Sequence, residues 1–212
     1  MSNKPKIIVG CECSGVVRAA FANIGWDAVS VDLEPDESGL PGEHWQADVF
    51  DALDRVGRVN LCIIHPPCQY LCSSGLHWNK RRPERAILTE KALDFAIRLW
   101  ETACKKADSV CMENSIGCLS TRFRYPDQII QPHQFGEDAS KATCLWLKNL
   151  PDLVPTKHVA PRIVGGRPRW ANQTDSGQNR LPPSSHRAAD RARTYPGVSR
   201  VMAEQWGLTI RV

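Results

Sequence analysis

Cys68 follows two prolines that directly succeed an apolar run, in Leu61-Cys62-Ile63-Ile64-His65-Pro66-Pro67-Cys68-Gln69. Proline fixes its own φ and restricts the residue before it, so the thiol must leave the run in one direction. Two readings fit: a rigid turn around a buried cysteine, or a nucleophile at the carboxyl end of a strand, where open α/β sheets bind ligands. Glu113 and Asn114 end another apolar run, Ser109-Val110-Cys111-Met112. A third cluster, Gly10-Cys11-Glu12-Cys13-Ser14-Gly15, opens a helical pattern, and Asp32 closes the next apolar stretch about twenty residues on. That spacing suits an adenosine-containing cofactor: the backbone approaches it at the turn and the acid accepts from ribose hydroxyls. The turn lacks GxGxxG, which disfavours a dinucleotide, and a purely structural turn is the alternative. Asp48 adds an acid at a third strand exit, placed to face an adenine amino group.

Charge is unevenly spread. Between Pro151 and Tyr195 there are eight Lys and Arg against three Asp, a local +5 that leaves about −1 for the rest of a chain totalling +4. Gly, Pro, Ser and Asn are enriched there too, as in a phosphate-contacting surface or a solvated loop. A second basic stretch follows Cys72: His77 and Trp78 are suited to stacking or wedging, and Lys80, Arg81, Arg82 and Arg85 to reaching phosphates, unless the stretch is a solvated turn. The nine cysteines are odd in number and sit among apolar residues, the pattern of thiols in a reducing cytosol. Their spacings (Cys11/Cys13, Cys68/Cys72, Cys111/Cys118) do not form the paired knuckles of a zinc site, so no metal is expected. Apolar runs are too short to span a membrane, and no signal peptide is read at the amino terminus.

The elements that must position these residues alternate. Strands are expected over Lys6–Gly10, Ala28–Asp32, Leu61–Ile64 and Ser109–Met112, with a late antiparallel pair at Gln128–Ile130 and Thr143–Leu147. One helix is expected after Ser14 as its cap. A long one starts near Pro83 with Leu88, Ala92, Phe95, Leu99 and Ala103 inward, and a last one covers Gly197–Trp206. Alternating strands and helices predict an α/β fold built on a doubly wound, mostly parallel sheet.

With these motifs placed, the chain resembles the cytosine-5 DNA methyltransferases. Pro66-Pro67-Cys68-Gln69 is similar to that family's Pro-Cys-Gln nucleophile motif, Glu113-Asn114 to its Glu-Asn-Val motif, and Cys11 through Asp32 to its Phe-x-Gly-x-Gly cofactor motif with an Arg-bearing helix and a distal acid. The three occur in order across roughly residues 7 to 115. Cys11 and Cys13 stand where the family has an aromatic residue and a glycine. Lys141 and Thr143 stand near its Gln-x-Arg-x-Arg strand, and Thr194-Tyr195-Pro196-Gly197 is a reduced form of its late Gly-Asn segment. The short build resembles phage-encoded members.

The resemblance implies a Rossmann-like S-adenosylmethionine-dependent fold in three parts. These are a catalytic and cofactor-binding domain over 1–149, a small irregular basic recognition segment over 150–193, and a C-terminal helix over 194–212 returning to the first. It implies a cofactor site of Cys11, Cys13, Ser14, Gly15, Asp32, Leu33, Asp48, Val49 and Pro66. Cys68, Glu113, Asn114 and Lys141 would be catalytic, with Glu113 carrying a proton through a raised pKa and Asn114 holding the loop. His77, Trp78, Lys80, Arg81, Arg82, Arg85, Arg167 and Arg169 would meet DNA around a flipped-out cytosine. A monomer in the cytoplasm (a host's, for a phage protein) is expected. The small recognition segment leaves open single-stranded nucleic acid or a free nucleotide as substrate. The altered cofactor turn leaves open a catalytically silent nucleic-acid binder.

Overall fold

The computed structural model describes residues 4–36, 38–184 and 187–210. In chain order the elements are β1 (Lys6–Gly10), α1 (Val16–Asn23), β2 (Asp27–Asp32), β3 (Glu43–Gln46), α2 (Val49–Val56), β4 (Val59–Ile64), α3 (Ser73–Leu76) and α4 (Pro83–Lys106). They continue with β5 (Ala107–Ser115), α5 (Leu119–Arg122), β6 (Gln128–Ile130), β7 (Thr143–Lys148), β8 (Arg162–Val164), β9 (Arg167–Arg169), α6 (Arg187–Ala192) and α7 (Pro196–Thr209).

Seven strands form one sheet in the order β3-β2-β1-β4-β5-β7-β6. Neighbours from β3 to β5 run parallel, while β7 runs antiparallel to both β5 and β6. This is a doubly wound, mostly parallel Rossmann-like fold. Its inner strands read as continuous apolar runs because helices cover both faces. Ile8, Val31, Cys62, Ile64, Val110 and Met112 point into one core with Leu53 of α2 and Leu93, Ala96 and Leu99 of α4. Their alternates Ile7, Val9, Leu61, Ile63 and Cys111 pack on Phe21 of α1 and Val201 and Trp206 of α7. Among the described residues no helix is long and apolar enough to cross a membrane.

The buried stripe of α4 is Thr89, Leu93, Ala96, Leu99 and Ala103, so the expected face is displaced in its first half. Leu88 is exposed, and Ala92 and Phe95 flank the stripe. A polar residue sets the phase: the Thr89 hydroxyl donates to the Tyr70 carbonyl (3.0 Å) and accepts from Asn79 Nδ2 (2.9 Å). Periodicity read from apolar residues alone passes over it.

The segment expected to be irregular contains a hairpin. β8 and β9 pair antiparallel around Gly165-Gly166, whose φ values of 55° and 75° are those a two-residue primed turn needs. The hairpin base is fastened to the body by Trp170, stacked on His133 at 4.3 Å with its Nε1 donating to the Val159 carbonyl.

Arg18 of α1 organises the loop between β2 and β3. Its buried guanidinium donates to the carbonyls of Pro41 (3.0 Å) and Leu40 (3.0 Å), to Ser30 Oγ (2.8 Å) and to Asp36 (2.5 Å). Ser30 Oγ lies 2.9 Å from His44 Nδ1, and His44 Nε2 lies 3.0 Å from the Glu34 carbonyl, so both ends of the loop join one network. Burial pulls the Asp36 carboxyl up, but bonds from Ser38 and the Arg18 guanidinium outweigh it and hold its pKa down to about 2. Arg18→Met should therefore cost about 3–5 kcal/mol in urea unfolding, because a buried charge loses its partner. The Asp36 pKa lies below the unfolded value of about 3.9. Its stabilisation is thus full above about pH 4 and lost as pH falls toward 2, and Asp36→Asn should flatten that acid limb.

Candidate active site

Parallel pairing of β4 with β5 sets Ile63 beside Cys111 and Ile64 beside Met112, so the chain leaving β4 runs beside Glu113 and Asn114. Asn114 Nδ2 donates to the Pro66 carbonyl (2.8 Å, buried) and Asn114 Oδ1 accepts from the Ser115 amide (2.9 Å). The Cys68 carbonyl accepts from the amides of Leu71 and Cys72 (both 3.0 Å), which turns the chain directly after the thiol. The two loops are then sewn together: the Cys118 amide donates to the Leu71 carbonyl (2.9 Å) and the Ser73 amide to that of Ile116 (2.9 Å). Any Cβ on Gly117 would lie 1.9 Å from the Leu71 oxygen, so only glycine permits this approach.

The Cys68 thiol is half-buried. Burial, then Cys72 and Glu113, raise its pKa, against the hydroxyl of Ser115 and the charge of Lys141, which lower it. Lys141 stands two residues ahead of β7, whose Thr143 pairs with Ser115, and its ammonium donates to the Ala192 and Arg193 carbonyls (both 3.3 Å).

Glu113 departs from expectation. Burial raises its pKa, but the hydrogen bond from His65 and the charges of Lys141 and His65 outweigh burial, and the net shift is downward. His65 Nδ1 lies 2.8 Å from Glu113 Oε2, and both side chains are only 11% exposed. An ionised carboxylate only accepts, so Nδ1 carries the hydrogen. Glu113 is a carboxylate in the free protein, not the acid that burial alone implies.

On the adjoining strand exit, after β1, Glu12 caps α1. Its Oε1 accepts from the Val17 amide (2.7 Å) and Ser14 Oγ (3.3 Å), and its Oε2 from the Arg18 amide (3.3 Å). The expected cap, Ser14, instead supports Glu12, and Gly15 takes the N-cap position at φ 65°. A buried carboxylate thus fills the place where a helix N-terminus would receive a phosphate. That donor set rejects a pyrophosphate and suits a cationic, phosphate-free adenosine derivative. Cys11 turns the chain at φ 58°, and its thiol is pushed up to about 12 by burial, Asp32 and Asp48, which places these three together. Cys13 is half-buried, its pKa raised by burial and then Asp32. Asp32 Oδ1 accepts from the Glu34 amide (3.0 Å), and Asp48 Oδ1 caps α2 through Phe50 (2.8 Å) and Asp51 (3.4 Å). Leu33 is 70% exposed beside Asp32. Val49 and Pro66 are buried, and Val49 lies against Gly10, where an added Cβ would sit 2.8 Å from its methyl. The residues present fit S-adenosylmethionine.

The basic residues divide in two. Trp78 is 40% exposed, with His77 at 4.9 Å and the guanidinium carbons of Arg81 and Arg82 at 5.7 and 5.3 Å from its ring, and Lys80 is exposed nearby. Arg85 is occupied internally, donating to the Gly75 and Gln69 carbonyls. In the hairpin, Arg169 donates to the Asp175 and Pro168 carbonyls and Arg162 pairs with Asp175, whereas Arg167 is exposed beside the turn. Sequence reasoning passed over Glu12 and Ser115 and gave His65 no partner. A signal existed only for Ser115, the residue after Glu113-Asn114.

No protein-family model matches the chain, and no curated protein matches it. Solved structures similar to it include a protein described as a DNA modification methyltransferase encoded within an E. coli prophage, at 14% identity and a TM-score of 0.43 over 68% of this chain and 46% of that one. The Entamoeba histolytica methyltransferase EhMeth is similar at 15% and 0.48 over 75% and 59%, and the bifunctional kinase-methyltransferase WbdD at 12% and 0.38 over 68% and 34%. The chain thus spans less than two thirds of each of these structures.

The raised Cys68 pKa has a direct consequence. Its alkylation, read by peptide mass spectrometry, should keep rising about tenfold per pH unit past the point where an ordinary thiol, near 8.5, levels off. Ser115→Ala should slow it further at any pH below that plateau, because a bond favouring the thiolate is lost.

Proposed function

We propose that the chain transfers methyl from S-adenosylmethionine to carbon 5 of cytosine in DNA, through a covalent bond between Cys68 and carbon 6. The observation that carries this reading is the convergence of Cys68 and Glu113 on neighbouring strand exits, beside a cofactor turn whose own carboxylate disfavours phosphate.

Carbon 5 of cytosine is a poor nucleophile. A thiolate adding at carbon 6 makes carbon 5 enamine-like, and the bound cofactor supplies a sulfonium methyl as electrophile. Lys141 and Ser115 favour the thiolate of Cys68. Glu113 faces ring nitrogen 3 and the exocyclic amine, offsetting the charge that builds as the adduct forms. Asn114 fixes the loop through Pro66 rather than touching the base. Asp32 would accept from the ribose hydroxyls, Leu33 would cover the adenine and Asp48 would face its amino group. Cys11, Cys13, Ser14, Gly15, Val49 and Pro66 shape the walls.

The base must leave the stack to reach Cys68, at a cost of a few kcal/mol. Trp78 with His77 is suited to fill the gap, and Lys80, Arg81, Arg82 and Arg167 to hold phosphates. Arg85 and Arg169 act by stiffening the elements that carry them. The division at 1–149, 150–193 and 194–212 follows this split, with the hairpin as the recognition element.

Nucleoside mass spectrometry of DNA from cells expressing the protein should find 5-methylcytosine with the wild type and none with Cys68→Ser. Methyl on another atom, or on no base, would overturn the reading. Asp32→Ala should weaken S-adenosylmethionine binding by about 1–3 kcal/mol in calorimetry. Arg167→Ala should lower the slope of log affinity for DNA against log salt by about 1, whereas a flat slope in the wild type favours a mononucleotide substrate.

A further inference from the structure

We propose that His65 supplies the proton that Glu113 delivers to ring nitrogen 3, an inference resting on the cytosine-5 reading above. His65 and Glu113 form a nearly closed pair at 2.8 Å, and the opposite ring nitrogen, Nε2, is buried with no hydrogen-bond partner among the described residues. A buried polar atom left unpaired costs free energy, so the position is expensive for a residue that only holds a carboxylate in place. What the imidazole adds to a fixed donor is a second ring nitrogen, which lets it give up the Nδ1 proton and remain neutral.

Its backbone makes the placement rigid. The His65 amide donates to the Gly10 carbonyl (2.9 Å), tying it to the cofactor turn, and Pro66 and Pro67 separate it from Cys68. The groups acting on Glu113 are His65 and Lys141, and Lys141 is held by the Ala192 and Arg193 carbonyls.

The exchange balances as follows. The exchange requires the pair to hold one proton more than a carboxylate and a neutral imidazole, shared across the 2.8 Å contact. As the Sγ–C6 bond forms, the C5–C6 π pair shifts through carbon 4 onto nitrogen 3. Glu113 passes a proton to nitrogen 3 and takes the Nδ1 proton of His65, which is left neutral with its hydrogen on Nε2. As the C4–C5 pair bonds carbon 5 to the methyl, C4=N3 re-forms and nitrogen 3 returns its proton through Glu113 to His65. A water molecule then takes the carbon 5 proton, the C5–H pair re-forms C5–C6, and the Sγ–C6 bond breaks to release the Cys68 thiolate. His65 is therefore a positioning and proton-supplying residue that acts through Glu113 and does not itself touch the base.

The test compares single-turnover methylation of duplex DNA by wild type, His65→Ala, His65→Asn and the same changes in a Glu113→Gln background, with S-adenosylmethionine affinity measured for each variant as a check on folding. His65→Asn keeps a donor toward Glu113 but has no proton to give. Both single variants should be slowed by about 100-fold or more, the range of general acid catalysis. Neither should add more than about twofold to the loss in Glu113→Gln, because the two residues act as a unit. Near-wild-type rates in His65→Asn would show a structural role and overturn the inference while leaving the cytosine-5 reading intact. A folded, cofactor-binding wild type that makes no 5-methylcytosine would overturn both.

Discussion

The site depends on one buried hydrogen bond, from the Asn114 amide to the Pro66 carbonyl (2.8 Å). Pro66 has no N–H, so its carbonyl is the only backbone polar group it can use to anchor the turn. A parallel β4–β5 ladder brings the two exits side by side, but it does not set the direction in which either loop departs. The Asn114 bond does, and the zip between Leu71 and Gly117 continues it outward. Cys68 is thereby held between two fastened points, and Glu113 lies on the strand that supplies the fastening.

The carboxyl edge of the sheet carries two environments of opposite character. Around Cys11, three carboxylates (Glu12, Asp32 and Asp48) gather at the turn, where they attract a cation and repel phosphate. Around Cys68, Lys141, His65 and the Ser115 hydroxyl favour negative charge. A cationic methyl donor fits the first, and an adduct that accumulates charge on a pyrimidine fits the second. Arg18 keeps the first environment in shape by holding the loop after Asp32 without contributing to its surface.

Much of this was legible in the sequence, and the failures have physical causes. The strands β1, β2, β4 and β5 announce themselves because both faces of an inner parallel strand are apolar, and β7 reads as an apolar run because it lies between two neighbours. β3, Glu43-His44-Trp45-Gln46, sits at the sheet edge with half its residues exposed and has no such signature. The hairpin carries its signal in Gly165-Gly166, but Arg162, Arg167 and Arg169 and two prolines outweigh it when composition is averaged over the segment. Ser14 is a favoured cap type, yet a longer acid two residues earlier reaches the same amides. The charge of Glu113 was beyond sequence altogether, since burial alone argues for a proton and only the neighbours His65 and Lys141 reverse it. Chemistry-bearing residues were thus easier to find than their protonation.

The central claim is that one thiol, Cys68, bonds to the base. It is tested most directly with duplex DNA carrying 5-fluorocytosine at the methylated position, since fluorine blocks the loss of the carbon 5 proton and so the release of the enzyme. The account predicts a stable protein–DNA adduct that mass spectrometry places on the peptide containing Cys68, with none on Cys72. An enzyme that methylates carbon 5 of the ordinary duplex yet forms no adduct, or forms it on another cysteine, would contradict it.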